Sequence, residues 1–239
     1  MFKIPTRLVF SLAALSITSG CTWFDPSMGM GQRVDAQTKT RSIFSLPRFG
    51  VGPLASGLPA EEQQCRKRLK RLGVNFEDVP PIRDSAACGI DHPVKVTAFS
   101  GGISLKPAAT LNCAMAEETA RWVEGDLAVA ARTRYLVGVR EIYNMSSYSC
   151  RKIRGTNTWS EHSTGNALDI GAITLDTGRR IDVAKPGFFA FREKGYLQKV
   201  RMGACDHFTT VLGPGSDAAH ADHFHFDLRR RKSGYRHCD

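Results

Sequence analysis

Ser160-Glu161-His162-Ser163-Thr164-Gly165-Asn166-Ala167-Leu168-Asp169 sets an imidazole and a carboxylate seven residues apart, on either side of a Gly-Asn pair. Gly-Asn does not comfortably continue a helix. Beyond it, Leu168, Ile170 and Ala172 alternate with Asp169 and Gly171, so the segment reads as a loop running into a half-buried strand. Residues seven apart on a strand face opposite ways, because the side-chain period is two. A bend at Gly165-Asn166 is therefore expected, bringing His162 back over the strand end that carries Asp169. An imidazole and a carboxylate placed together begin a zinc site and call for a third ligand.

The third ligand comes from His220-Ala221-Asp222-His223-Phe224-His225-Phe226-Asp227-Leu228. His223, His225 and Asp227 stand at i, i+2 and i+4, with Phe224, Phe226 and Leu228 between them. On a strand this puts three polar groups on one face and three apolar groups on the other. The apolar face packs on the core and the imidazoles point into a cleft. His162, Asp169 and His225 are the expected metal ligands. Asp227 is expected to orient an imidazole as an acceptor behind it, and Ser160 to hydrogen-bond near His162. His220 and His92 read as surface residues, and His207 and His237 carry no signal.

Ser160, His162, Gly165, Ala167 and Asp169 match, position by position, the Ser-x-His-x-x-Gly-x-Ala-x-Asp motif of the D-alanyl-D-alanine metallopeptidases. That group also includes the lysostaphin-type peptidases and the hedgehog signalling domain. The His-x-His-x-Asp ending, the run Ser147-Tyr148-Ser149-Cys150-Arg151 and the cysteine pattern are still more similar to the bacterial extensin-like C-terminal domain proteins. The likeness covers residues 64–238. It implies a zinc peptidase acting on peptidoglycan, cutting cross-bridges or stem-peptide ends.

Two residues compete for the general base that such hydrolysis needs. His223 lies on the ligand face, where the lysostaphin-type branch places a His. Asp222 stands three residues before His225, where the D-alanyl-D-alanine peptidases carry a Glu, and is one methylene shorter. We favour His223. Arg151 occupies a place where these peptidases carry an Arg, and there a guanidinium stabilises an oxyanion or holds a substrate carboxylate. The plainer reading is an exposed Arg beside Lys152 and Arg154. The replacement of Glu by Asp222 also keeps open a non-catalytic, metal-containing protein that binds cell wall or a partner protein. A third reading is a disulfide-built structural domain without metal.

Outside these motifs, residues 1–20 read as an export signal: Lys3 and Arg7 precede an apolar run at residues 8–17, too short for a stable span. The run ends at Ile17-Thr18-Ser19-Gly20-Cys21, as in lipoprotein signals, which makes Cys21 the expected lipidation site. Ordinary cleavage nearby, or an uncleaved segment retained in the membrane, is the alternative. Acylating one of the seven cysteines leaves six to pair. The expected location is periplasmic and membrane-tethered. The outer membrane is preferred, because Thr22 follows the cysteine where an aspartate often marks retention in the inner membrane. Residues 21–59, rich in Gly, Ser, Pro, Arg and Thr, read as a flexible tether.

The rest, residues 60–239, is long enough for one domain with its own core. A basic helix is expected at 61–72, closed by Gly73, and a strand at 94–99. A long helix follows at 108–132, with a stripe of Leu111, Ala114, Met115, Trp122 and Val129 that Glu118 and Thr119 interrupt. Further strands are expected at 135–143, 172–175, 181–183 and 209–212, with a turn at Asp176-Thr177-Gly178 and a helix within 187–203. The order implies an α+β fold: a mainly antiparallel sheet carrying the metal site, helices on its other face, and disulfides holding it. Cys65, Cys88, Cys113, Cys150, Cys205 and Cys238 are too scattered for a thiolate cluster. Cys65 with Cys88 is the expected pair, being nearest in sequence. The net charge of +10, which becomes +8 without Lys3 and Arg7, is concentrated partly at residues 229–236. With an export signal this argues for anionic cell-wall or lipid surfaces and against nucleic acid, the plainer reading being a solvated basic tail.

Overall fold

β7 (Ala167–Leu175) is buried along its whole length, and the rest of the fold is built around it. The structure is a computed structural model describing residues 57–184, 186 and 190–239. The expected leader, Cys21 and all but the last three residues of the expected tether lie outside the described residues. The described residues fall within one compact unit, Gly50–Asp239.

Four α-helices are present among them: α1 (Ala60–Arg71), α2 (Cys113–Trp122), α3 (Ala128–Tyr135) and α4 (Phe191–Ala204). The remaining strands are β1 (Asn75–Asp78), β2 (Ile82–Ser85), β3 (Cys88–Ile90), β4 (Val94–Phe99), β5 (Ile103–Leu111), β6 (Val139–Ser146), β8 (Arg180–Asp182), β9 (Thr210–Leu212), β10 (Phe224–Asp227) and β11 (His237–Cys238). The main sheet runs β1-β4-β5-β6-β7-β10-β9-β11, with β8 beside the second half of β7, and β2 and β3 form a separate hairpin. Pairing is antiparallel except for β5 with β6 and β11 with β9. The fold is therefore α+β, with a mixed, mainly antiparallel sheet.

Helices cover one face. Trp122 meets Phe226 and Phe208 edge-on at 5.1 and 6.5 Å and donates its indole N–H to the Val200 carbonyl of α4 at 3.0 Å. Phe224 and Phe226 supply the sheet side of this core, so His225 and Asp227 turn to the opposite face. On β7, Leu168 and Ile170 join the core while Asp169 faces the other way. Opposite Ile170 and Ala172 the register with β6 slips at Asn144 and Tyr143, leaving Gly171 as an extra residue. This bulge changes the strand's phase, and Ile173 and Leu175 take over the core face.

Several local expectations are met: α1, the strand at β4, and the β7–β8 hairpin closed at Asp176-Thr177-Gly178. The long helix is corrected. Residues 108–111 continue β5, pairing Ala109, Thr110 and Leu111 with Val96, Lys95 and Val94. Cross-strand partners outweigh the helical preference of two alanines. Helix α2 starts only after Asn112, whose side-chain oxygen accepts from the Met115 N–H at 2.8 Å. A π turn at Val123–Leu127 joins α2 to α3, and Leu136, with φ of 60°, ends α3. The helix thus keeps Tyr135, and the next strand starts at Val139. Within the stripe, Thr119 is buried and bonds back to the Met115 carbonyl at 2.7 Å, whereas Ala114 and Val129 are exposed.

The disulfides are Cys65–Cys113, Cys88–Cys150 and Cys205–Cys238. All six cysteines pair, but Cys65 does not pair with Cys88. Cys65 faces α2 within the helix layer, while Cys88 sits in the β2–β3 hairpin beside the loop that carries Arg151. Sequence proximity chose wrongly because helix packing brings Cys113 to within a Cα distance of 6.3 Å of Cys65.

Candidate metal centre

The bend expected before β7 is a single 3-10 turn, Glu161–Thr164. Ser160 caps it, its Oγ accepting from the His162 N–H at 3.4 Å. Gly165 closes it at φ of +63°, donating its N–H to the His162 carbonyl at 3.1 Å. A Cβ at Gly165 would lie 2.3 Å from Ile90 Cδ1 and 2.9 Å from Asn112 N, so both conformation and space call for glycine. The turn carries His162 back over β7, as the seven-residue spacing requires.

Asp169 and His225 are direct cross-strand partners in the β7–β10 ladder. His225 Nδ1 lies 2.8 Å from Asp169 Oδ1, His162 Nε2 lies 3.2 Å from the same oxygen, and the two nitrogens are 3.3 Å apart. The far nitrogens are occupied. His162 Nδ1–H donates to the Ser147 carbonyl at 2.5 Å, and His225 Nε2–H to Asp227 Oδ2 at 3.1 Å. In neutral rings, the form that would hold a metal, these partners select tautomers whose remaining lone pairs both face Asp169.

Donors with zinc bonds of about 2.0–2.1 Å in a tetrahedral array stand roughly 3.3 Å apart. Two of the three separations agree and the third is shorter. One ligand atom from each residue lies within 4.8 Å of the others, and the donor set of two imidazoles and a carboxylate suits zinc. The residues fit such an ion.

Electrostatics favour a cation here. Burial alone would raise the Asp169 carboxyl pKa, but hydrogen bonds from His162 and His225 reverse this and hold it far below the usual range. Burial alone would lower the His225 pKa, yet Asp169 and Asp227 push it up to about 9. In the metal-free chain a proton on His225 supplies the positive charge.

The three donors line a cavity of about 910 Å³ together with Arg151, Ser160, His220, Asp222, His223 and Asp227. His223 Nε2 is 3.7 Å from Asp169 Oδ1, and its Nδ1–H donates to Asp222 at 2.8 Å. The two candidates for the base are thus joined: Asp222, with its side chain 62% exposed, holds the imidazole of His223. Arg151 Nη2 reaches Asp169 Oδ2 at 3.4 Å from a half-exposed position at the edge of the same group. His220, read from the sequence as a surface residue, belongs to the cavity. Its ring centre is 5.3 Å from that of His223 and 5.5 Å from that of His225, and Asp217 holds its Nδ1 at 2.8 Å. The signal for it was local: Asp217 stands three residues before His220 and caps the short turn at Ala218–His220. His207 lies in the helix layer, bonded to Asp126 at 3.0 Å. A second cavity of about 570 Å³, mainly apolar and lined by Leu197, Met202 and Pro214, lacks such a cluster.

A disulfide-linked α+β domain with this mixed sheet is the class that the fold defines. Residues 63–239 match the family model for the extensin-like protein C-terminus, and the chain belongs to that family. Searches of the curated proteins and of the solved structures returned no match.

Proposed function

We propose that this chain is an exported, zinc-dependent peptidase that hydrolyses amide bonds of peptidoglycan stem peptides or cross-links, tethered to the membrane through Cys21. The observation that carries the reading is the convergence of His162 Nε2, Asp169 Oδ1 and His225 Nδ1 on the cavity floor, with the outer nitrogen of each imidazole already bonded. The Ser-x-His-x-x-Gly-x-Ala-x-Asp spacing and its likeness to the D-alanyl-D-alanine and lysostaphin-type peptidases add the reaction class. The leader and the excess of basic residues add the cell-wall setting.

Those three residues would hold the ion. When bound, zinc supplies a Lewis acid that makes water acidic near neutral pH and polarises a carbonyl. Asp227 and the Ser147 carbonyl keep the two imidazoles from rotating. His223, its Nδ1–H fixed on Asp222, presents Nε2 to the cavity, takes the proton of the attacking water and passes it to the departing amine. Arg151, beside Asp169, meets the negative charge that develops on the carbonyl oxygen.

Zinc-loaded protein incubated with muropeptides of several cross-link types should yield smaller peptides, and a chelator should stop the reaction. Unchanged chromatograms for every cross-link type would refute the proposal.

A further inference from the structure

Nearly every charge in the cavity has a partner. Asp169 and Asp227 are matched to His225, Asp217 to His220, Asp222 to His223, and Glu161 to Arg229 at 3.9 Å. Arg154 and Arg231, which line the same cavity, are the exceptions. Arg154 is an exposed side chain with no hydrogen bond among the described residues, whereas Arg231 is held in place. The Arg231 guanidinium is held by neutral groups: Nη1–H donates to the Thr209 carbonyl and Nη2–H to Thr210 Oγ1, each at 2.9 Å. The Tyr235 ring stands 5.9 Å from it. Among the described residues no carboxylate lies within ion-pair distance of Arg231.

A solvated surface arginine wanders and loses rotamer freedom when it binds. Arg231 is already fixed by two hydrogen bonds, to Thr209 and to Thr210 at the start of β9. Two of its five N–H groups are spent and three remain. Thr210 also links it to the three donors, since it accepts from Arg231 and is the cross-strand partner of Asp227, the residue that holds His225. Arg231 therefore stands on the β9 side of the three donors, with Arg151 beside Asp169. Guanidinium fixed in this way, with its charge unmatched, suits a planar carboxylate.

We propose that Arg231 is a substrate-recognition residue that binds a carboxylate of the substrate on the β9 side of the three donors, so that the cavity selects acidic peptides. This rests on the reading of the cavity as a peptidase site and adds its substrate preference.

The test compares one purified muropeptide with the same muropeptide after its carboxylates are converted to amides. Binding is measured by calorimetry on the metal-free full chain, where no turnover intervenes, and kcat and KM are measured on the zinc-loaded chain. Wild type should bind the free acid about tenfold more tightly, the scale of a charge-assisted hydrogen bond. Arg231→Gln should remove that preference, raising KM for the free acid with kcat little changed and leaving the amidated peptide unaffected. Arg231→Lys should keep part of the preference, since it keeps the charge and loses the fork.

Equal binding of both peptides by wild type would overturn the proposal. So would an Arg231→Gln chain that melts like wild type and weakens both peptides alike, because that marks a structural role through Thr209 and Thr210. Preferential binding without turnover would leave Arg231 as assigned and remove the peptidase reading instead.

Discussion

Gly165→Ala probes the turn that lifts His162 over Asp169, and its cost can be worked from the backbone. At φ of +63° an L side chain costs roughly 1–2 kcal/mol. The added Cβ would lie 2.3 Å from Ile90 Cδ1 and 2.9 Å from the Asn112 nitrogen. Ile90 can rotate, but Asn112 N is backbone and donates to the Gly165 carbonyl at 2.9 Å. Overpacking of this kind costs about 1–3 kcal/mol, giving a total of about 2–5 kcal/mol. Gly101→Ala is the control, since it shares a positive φ of +71° and has nothing within 4 Å of its Cβ. It should pay only the conformational part. Urea unfolding of both variants should therefore separate them by about 1–3 kcal/mol, and a chromophoric zinc competitor should show weakened metal binding in Gly165→Ala alone. Equal destabilisation of the two, with unchanged zinc affinity, would refute the argument that the close contact positions His162.

Replacing His162, Asp169 or His225 by Ala should each remove most of the bound zinc, whereas His223→Ala should keep the metal and lose turnover. Elemental analysis decides, and full zinc in the first two would mean the ligands are misassigned. In the metal-free chain the raised His225 pKa adds stability that is fully present below the unfolded value of about 6.5 and lost as the pH rises through about 9. Zinc binding near pH 7 should accordingly release about one proton, read by calorimetry in buffers of different ionisation enthalpy, and proton-free binding would contradict it. Non-reducing peptide mapping should recover Cys65 with Cys113, Cys88 with Cys150 and Cys205 with Cys238. A Cys65–Cys88 peptide would contradict the pairing.

What could be read from the residues alone was what short range and strict periodicity govern. The two-residue alternation from Phe224 to Asp227 sets which side chains share a face, and it does so wherever the strand lies. The Gly165-Asn166 bend follows from the seven-residue spacing, and Asp176-Thr177-Gly178 is a turn by composition. Other features depend on partners far away in the chain. Ala108 to Leu111 are strand because β4 lies beside them, although their composition favours helix. Asp222 and His223 read as rivals, because one-dimensional spacing says nothing of a hydrogen bond between neighbours that leave the regular strand. His220 reads as surface, yet a cap by Asp217 turns it into the cavity. Cys65 meets Cys113 because α1 packs on α2, a contact over 48 residues that no local pattern encodes. Arg231 looks like one more charge in a basic run, and its fixed position against Thr209 and Thr210 exists only once β9 is paired with β10. Local patterns settle faces and turns because they act through the backbone itself. Pairing, burial and the company a charge keeps are settled by long-range packing.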